Sequence, residues 1–284
     1  MEKSFYKSKA IKQKVEQLYF EKLDELNITY DRQVVDTSFG QTNVLITGNT
    51  SGKELVLIHG SNGCAPIGIE ALIGLLDDYK IYAVDVIGQP NLSAETRPDM
   101  KGLDYGKWMY EVMSRLGVEK VIMVGISFGG FITWKSLLYD QRKIQAAHLI
   151  VPAGIVNGNP LKALFNVFMP MKRYMRTQKK KHVLRFTAAL FSYRDDFANR
   201  FLATVFGGFE MDFSPIPTLK KAEAEKITVP VSIYGAEKDV MFPGVKMLRR
   251  ARRIFPSLKE AVLIKGAKHV PDDKGNHEII RYIQ

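Results

Sequence analysis

The chain has 284 residues, 46% of them hydrophobic, so it can bury one large core, alone or with a smaller insertion. Its 41 basic and 30 acidic side chains give a formal net charge of +11, which by itself would suit a nucleic acid, an anionic membrane or an acidic substrate. No zinc-ligand spacing or RNA-binding aromatic motif accompanies this charge, so we expect no nucleic-acid partner.

The single cysteine and the first residues of the chain indicate in which cellular compartment the protein is located. Cys64 has no second cysteine with which to form a disulfide, and residues 1–7 lead into a charged segment instead of an apolar signal core. No apolar run approaches the roughly 18 residues that a membrane span needs. We therefore expect a soluble, cytoplasmic protein in which Cys64 has a packing role.

The N-terminal segment, residues 1–27, is predicted to contain one amphipathic helix. Its apolar side chains recur every three or four residues between Ser8 and Leu26, with lysines and acids between them. Because the polar face carries acids as well as lysines, we expect this helix to pack on the rest of the protein and not on a membrane.

Residues 28–151 are predicted to form the first part of an α/β core. Two strands, at 29–36 and 42–48, flank a turn, and short apolar runs then alternate with amphipathic segments. Nearly continuous apolar runs are typical of strands that are buried on both faces of a parallel sheet. The runs lie at 54–58, 80–86, 121–126 and 145–151, and the predicted helices at 67–77, 105–116 and 131–139.

A glycine-serine-glycine pattern ends the apolar run 121–126 and opens a helical segment. A serine between a strand and a helix in such a sharp turn adopts strained backbone, and the neighbours must lack side chains for the two elements to approach. Gly125 and Gly129 meet this requirement, and Gly130 adds clearance. The turn is expected to lift the hydroxyl of Ser127 out of the sheet, where it can act as a nucleophile.

Two later strands are each followed by a group that could assist Ser127. The run 229–234 precedes Glu237 and Asp239, and the run 259–265 precedes His269. A histidine can accept the serine proton if a carboxylate orients its ring. We expect Asp239 to be this carboxylate, with Glu237 as the alternative. Asp239 could instead have a purely structural role as a helix cap.

The other histidines have weaker contexts. His277 lies in the predicted terminal helix, and His148 and His182 follow no matching strand. His59 follows the strand 54–58 directly, and we expect it to brace the loop after that strand without titrating. Asp85 lies at the carboxyl end of a strand, and a structural hydrogen bond is predicted for it.

These features resemble the α/β-hydrolase superfamily, and most closely its small bacterial carboxylesterase-like members. The resemblance extends from about residue 29 to the C-terminus and depends on His59-Gly60, the Ser127 turn, Asp239 and His269 in that order. It implies an α/β-hydrolase fold with a mostly parallel central sheet flanked by helices. It also implies an oxyanion hole formed by the backbone N–H groups of Ser61 and Phe128.

Residues 152–225 interrupt the alternation and are predicted to be a helical insertion, and the core resumes at 226–284. The insertion resembles the cap of many relatives, and its apolar residues at 161–169 would form its own small core or a wall for an apolar acyl or alcohol group. The basic run 173–185 is interpreted as a solvated face, with attraction of anionic lipid or substrate as the alternative.

The sequence therefore predicts a serine hydrolase that cleaves a small carboxylic ester through an acyl-enzyme at Ser127, without a metal or organic cofactor. Haloalkane dehalogenase or epoxide hydrolase chemistry would need an aspartate in place of Ser127. Thioesters, lactones and carbon–carbon bonds remain open, because enzymes that cleave them share the triad and differ in the pocket. A slow-turnover ligand sensor on the same fold is the alternative from another class. The pattern makes no prediction of oligomeric state.

Overall fold

The computed structural model describes residues 4–284, which form an eight-stranded sheet with helices on both faces. The strand order is β1-β2-β4-β3-β5-β6-β7-β8. The strands are β1 (Tyr30–Thr37), β2 (Gly40–Gly48), β3 (Lys53–Ile58), β4 (Tyr79–Val84), β5 (Val121–Ile126), β6 (Ile144–Ile150), β7 (Val231–Ala236) and β8 (Leu258–Ile264). Strand β2 pairs antiparallel with β1 and β4, and all other pairs are parallel. The predicted fold class, α/β with a mostly parallel sheet, is therefore confirmed.

The helices follow the predicted alternation, with bounds shifted by a few residues. They are α1 (Lys9–Leu26), α2 (Ala65–Ala71), α3 (Asp104–Arg115), α4 (Phe128–Tyr139), α5 (Pro160–Ala163), α6 (Met169–Thr177), α7 (Lys180–Leu190), α8 (Asp196–Gly208), α9 (Lys221–Ala224), α10 (Gly244–Ile254) and α11 (Asp273–Ile283). The helix predicted at 67–77 is shorter than expected, because the backbone leaves the helical region at Leu72 and continues as a 3₁₀ turn, Ile73–Leu75. That turn lets Leu72 and Leu75 both face the core.

The central strands separate two hydrophobic cores. In β3, Leu55 and Leu57 pack with the α1, α2, α8 and α11 side, whereas Val56 and Ile58 pack with the α3, α4 and α10 side. Both sets are fully buried because successive side chains of a strand point to opposite faces, which explains why the sequence has an apolar run without alternation. Every parallel strand therefore directs its carboxyl end to one edge, where loops can assemble a site.

Helix α1 packs on the body of the protein, as predicted. Ser8 caps it, since its Oγ accepts a hydrogen bond from the N–H of Ile11. Leu18, Tyr19 and Leu23 are buried, and the helix contacts α2 and α8. Among residues 4–284, no helix is both long enough and apolar enough to cross a bilayer.

The segment between β6 and β7 carries α5 to α9. Helix α5, a π-helical stretch (Leu164–Phe168) and α6 are continuous, and together they form one rod from Pro160 to Thr177. Val167 is buried, as the predicted apolar wall would require. Leu161, Leu164 and Phe165 are instead exposed, so they do not form a small core of the insertion. Apolar spacing does not distinguish an inward from an outward helix face, which is why the sequence could not show this.

Candidate active site

The turn between β5 and α4 has the strained backbone that the sequence predicted. Ser127 has φ 54° and ψ −108°, a conformation that non-glycine residues adopt rarely and that costs about 1–3 kcal/mol. Its N–H donates to Ile150 O at 2.8 Å, and its own carbonyl accepts from the N–H of Ala153 at 3.0 Å. These bonds to the neighbouring strand and loop hold the turn in place.

The two glycines of the turn are required by close contacts. A Cβ at Gly125 would collide with the carbonyl oxygen of Gly129, and a Cβ at Gly129 would collide with the carbonyl oxygen of Ile58 at the end of β3. A side chain at either position would push α4 away from the sheet. The glycines therefore set the position of Ser127 relative to the β3 loop, as the sequence indicated.

Ser127, His269 and Asp239 form one hydrogen-bonded chain. His269 Nε2 lies 3.0 Å from Ser127 Oγ, and His269 Nδ1 lies 2.7 Å from Asp239 Oδ2. The three residues follow β5, β8 and β7, whose carboxyl ends share one edge of the sheet. Only 8% of Ser127 and 12% of the His269 side chain are exposed, so these two side chains have little contact with solvent. The structure thus brings together all three residues predicted as the triad.

Asp239 is held as a carboxylate. Burial by itself would raise its pKa, but the His269 ring and two backbone amides outweigh burial and keep the pKa below the ordinary value. The amides are those of Met241 and Phe242, which donate to Oδ1 at 2.7 and 3.0 Å. The helix-cap alternative for Asp239 is wrong, because α10 begins at Gly244 with Pro243 at its N-cap. Oδ1 instead stabilises the turn that follows Asp239, and Oδ2 faces the histidine.

Glu237, the alternative carboxylate, lies elsewhere. It is exposed and accepts a hydrogen bond from the N–H of Gly266 at 2.8 Å, so it braces the loop after β8 from outside. The structure does not bring it to His269.

The remaining histidines lie away from Ser127. His148 is buried with Nδ1 2.8 Å from Tyr234 Oη, and burial lowers its pKa to about 4. His277 is exposed on α11, and its Nδ1–H donates to the carbonyl of Asp273. His182 lies on α7 at the surface of the helical segment. None of these replaces His269.

The loop after β3 lies beside the serine turn. A Cβ on Gly60 would be 3.4 Å from Ser127 Cβ. Within residues 4–284, the N–H groups of Ser61 and Phe128 donate to no other group of the chain. The Phe128 amide is free because it begins α4, and the first amides of a helix have no partner within it. The two amides that the resemblance implies for an oxyanion hole are therefore unpaired, one at the start of α4 and one on the loop beside Ser127.

His59 braces this loop, as predicted. Its Nδ1–H donates to Gly60 O at 2.7 Å, and its Nε2 accepts from the N–H of Val86 at 3.0 Å. Burial lowers the pKa of His59 to about 4, so the ring stays neutral at physiological pH. Gln89 adds a support that the sequence did not indicate, since its Oε1 accepts from the N–H of Asn62 at 2.8 Å. The only sequence signal was its place in a polar loop after a strand adjacent to β3.

A buried polar network supports the same loops from below. Asp85 accepts hydrogen bonds from the Ala65 amide at 2.7 Å and from Asn43 Nδ2 at 2.8 Å, the structural role predicted for it. Burial raises the pKa of Asp85 to about 6 despite these donors. Cys64 is buried next to Ala65, and burial raises the pKa of its thiol, which agrees with a packing role.

The helical segment is bonded directly to the loop that carries His269. The N–H of Val270 donates to Leu190 O at 2.8 Å, and the N–H of Ser192 donates to Val270 O at 2.9 Å. On the other side of the histidine, the N–H of Lys268 donates to Ser192 Oγ at 2.9 Å. The end of α7 thus clamps both neighbours of His269, a contact across 76 residues that sequence spacing could not reveal.

Phe242 completes the surroundings of the imidazole. Its ring meets His269 edge-on, with ring centres 5.5 Å apart and planes at 64°. An aromatic ring in this position covers one side of the imidazole and limits its rotation. Among the described residues, no group of three histidine, cysteine or acidic side chains is arranged to hold a metal ion.

Comparison with known proteins identifies the family. The family model for the alpha/beta hydrolase fold matches residues 54–226, more than half of the chain. An uncharacterized carboxylesterase, nap, of Bacillus subtilis (strain 168) is 27% identical in an alignment 269 residues long that covers 89% of this chain and 85% of that protein.

Two solved structures from Bacillus subtilis share the fold. Naproxen esterase (carboxylesterase NP) superposes with a TM-score of 0.78 at 24% identity, covering 94% of this chain and 96% of the other. Carboxylesterase CesB (YbfK) gives a TM-score of 0.82 at 21% identity, covering 96% and 97%. With the family match and the sheet order described above, these similarities establish that the chain belongs to the alpha/beta hydrolase fold family.

Proposed function

We propose that the protein is a serine hydrolase that cleaves a small carboxylic ester. The observation that carries this proposal is the hydrogen-bonded chain from Ser127 through His269 to Asp239, at the edge of the sheet where two unpaired amides also lie. Ser127 is the nucleophile, His269 the general base and acid, and Asp239 the group that orients the imidazole.

Acylation begins when Ser127 Oγ attacks the ester carbonyl carbon. The hydroxyl proton passes to His269 Nε2, and the carbonyl π electrons move onto oxygen to give a tetrahedral oxyanion. The oxyanion accepts hydrogen bonds from the amides of Ser61 and Phe128, and one such donor is typically worth about 3 kcal/mol of barrier. The oxyanion collapses, and the alcohol leaves with the proton from His269.

Deacylation repeats these steps with water. Water attacks the acyl carbon and gives a proton to His269, and collapse of the second oxyanion breaks the bond to Ser127 Oγ. The carboxylic acid leaves, and His269 returns the proton to the serine. Asp239 keeps its negative charge throughout and stabilises the imidazolium that forms in each half-reaction. No cofactor is needed for any step.

The substrate class follows from the relatives and from the helical segment. Relatives that are named carboxylesterases support an ester as the bond cleaved. We assign residues 152–225 as a cap over the site, because α7 bonds to the loop of His269. The cap separates core parts 28–151 and 226–284, and an N-terminal segment, 1–27, contains α1; its residues 1–3 lie outside the described residues. The partner is a small-molecule ester. A cytoplasmic location belongs to the same proposal, supported by a lone, buried thiol.

Turnover of p-nitrophenyl esters tests the proposal. We expect steady release of p-nitrophenol over many turnovers from a series of graded acyl length, and the chain length with the highest kcat/KM would define the acyl pocket. Release of one equivalent followed by a plateau would favour a ligand sensor. The absence of any release with all chain lengths would contradict ester hydrolysis.

Ser192→Ala tests the clamp on the histidine loop. The change removes the oxygen that accepts from the Lys268 amide, and one hydrogen bond is worth about 0.5–1.5 kcal/mol, so we expect kcat to fall up to about tenfold with KM nearly unchanged. Ser192→Thr keeps an acceptor and should restore kcat. Equal kcat values for wild type and Ser192→Ala would show that the bond does not position His269.

A further inference from the structure

The positive charge of this protein comes from one region of the chain. Residues 141–194 contain eleven lysines and arginines and no aspartate or glutamate. The rest of the chain carries thirty basic and thirty acidic side chains, so it is balanced. The whole formal charge of +11 is therefore contributed by this region, which includes most of the proposed cap.

Most of these cations lie on the hairpin formed by the rod 160–177 and α7. All eight in the hairpin are exposed: Lys162, Lys172, Arg173, Arg176, Lys179, Lys180, Lys181 and Arg185. Within residues 4–284 none of the eight forms an ion pair. Burial lowers the pKa of His182 on α7, and the charges of Lys181, Arg173, Lys179 and Arg185 lower it further. The hairpin thus presents a concentrated cationic surface.

The same surface exposes large apolar side chains. Leu161 is 64% exposed, Leu164 43% and Phe165 50%, all at the N-terminal end of the rod. The opposite face of the rod is buried through Val167, Met171 and Tyr174, so the apolar residues and the cations share its outward face. Beside the rod, Lys172 Nζ lies 5.6 Å from the centre of the Phe213 ring, which is also exposed.

We propose that this outward face of the hairpin docks on the surface of an anionic phospholipid bilayer. Exposed leucine and phenylalanine side chains beside lysines and arginines are the composition of helices that lie in a membrane interface. The apolar groups enter the boundary between headgroups and acyl chains. Each cation near an anionic surface contributes about 1 kcal/mol of binding free energy, which raises the partition coefficient about fivefold.

Two features favour lipid over nucleic acid as the occupant. Leucine side chains offer no stacking surface for bases, whereas single-stranded nucleic acids are bound through aromatic platforms in basic grooves. The exposed apolar side chains Leu161, Leu164 and Phe165 also lie within five residues of one another, so they can enter an apolar layer together. The proposal does not depend on the hydrolase chemistry, because within residues 4–284 no hydrogen bond or ion pair joins the eight cations to Ser127, Asp239 or His269.

Vesicle flotation tests the docking surface with the full-length protein. We expect binding to vesicles of one part phosphatidylglycerol to two parts phosphatidylcholine in roughly 50 mM salt, and loss of binding in roughly 500 mM salt, where charges are screened. Vesicles of phosphatidylcholine alone should bind far less. Failure to bind the anionic vesicles at low salt would overturn the proposal.

Charge variants distinguish binding through the hairpin cations from general attraction by the net charge of the protein. Replacing Lys179, Lys180 and Lys181 by glutamine should lower the partition coefficient about 100-fold, at about 1 kcal/mol per cation. The matched control replaces Lys53, Lys120 and Lys274, which are exposed and lie outside the hairpin, and it removes the same charge. Equal losses in both triple variants would show attraction by net charge only and would overturn the proposal.

A second pair of variants tests the apolar contact. Leu161→Ser with Phe165→Ser should weaken vesicle binding roughly tenfold or more, because both side chains leave the apolar layer. Val34→Ser with Val245→Ser, two exposed apolar residues elsewhere, should leave binding unchanged. Thermal melting of all four variants establishes that they fold. Full binding by the Leu161 and Phe165 variant would refute insertion, and tight binding of a single-stranded oligonucleotide without vesicle binding would reassign the surface to nucleic acid.

Discussion

Ser127→Ala should abolish ester turnover and labelling by a fluorophosphonate probe. The alanine keeps the backbone of the serine turn and the two amides but removes the oxygen that lies 3.0 Å from His269 Nε2. Loss of the nucleophile in a triad of this kind lowers kcat on the order of 10⁶-fold, because histidine and carboxylate then have no group to activate. Circular dichroism should be unchanged, since the side chain removed is one small hydroxyl.

Ser61→Ala is the matched control for this experiment. Ser61 lies on the β3 loop that approaches Ser127, so its hydroxyl is the neighbouring candidate nucleophile. Only its backbone N–H has a role in the proposed oxyanion hole, and alanine keeps that group. We therefore expect labelling and most of the turnover to survive in Ser61→Ala. Labelling that persists in Ser127→Ala and disappears in Ser61→Ala would show that the nucleophile was assigned to the wrong serine.

The serine turn could be predicted because most of its requirements are local. The positive φ of Ser127 and the contact that excludes a side chain at Gly125 arise within a few residues of one strand end. The contact that excludes a side chain at Gly129 is instead with the carbonyl oxygen of Ile58 in β3, a distant part of the chain. To predict that Asp239 and His269 lie beside Ser127, we also assumed that parallel strands direct their carboxyl ends to the same edge of the sheet. Nearly continuous apolar runs supported that assumption, and the observed pairing of β5, β6, β7 and β8 agrees with it.

The supports of the site could not be predicted, because they join distant parts of the chain. Gln89 bonds to Asn62, and Ser192 bonds to Lys268, yet neither residue belongs to a pattern that its own neighbours make recognisable. A glutamine or serine in a polar loop is as often solvated as bonded. Only the packing of the β4 loop and of α7 against the site decides which of these groups acts as a support.

The exposure of Leu161, Leu164 and Phe165 on the rod 160–177 could not be predicted, for a related reason. Leu161 and Phe165 recur at the spacing of one helix face, and the sequence cannot show whether that face turns to the core or to solvent. A π-helical stretch, Leu164–Phe168, then changes the angle between successive side chains. In the structure Val167 and Met171 turn inward and the earlier apolar residues turn outward. This outward face is the basis of the proposed membrane contact.

Asp239→Asn should lower kcat on the order of 10⁴-fold near neutral pH. In the wild type, the carboxylate accepts the Nδ1–H of His269 at 2.7 Å, which leaves Nε2 without a proton and able to accept one from Ser127. An asparagine that offers its N–H₂ group to Nδ1 would favour the tautomer with the proton on Nε2, and that tautomer cannot act as a base toward the serine. Steady-state rates on a short p-nitrophenyl ester measure the effect.

Glu237→Gln is the comparison that makes this result specific. Glu237 lies two residues away on the same loop and is exposed, so glutamine should keep the hydrogen bond from the Gly266 amide and leave kcat within about twofold of the wild type. A collapse of the rate in Glu237→Gln with normal turnover in Asp239→Asn would reverse the assignment. The buried Oδ1 of Asp239 also accepts hydrogen bonds from two amides of its own turn, so melting curves of Asp239→Asn must accompany the rates. Loss of activity with an unchanged melting temperature would show that the substitution acts through the tautomer of His269 and not by unfolding the loop.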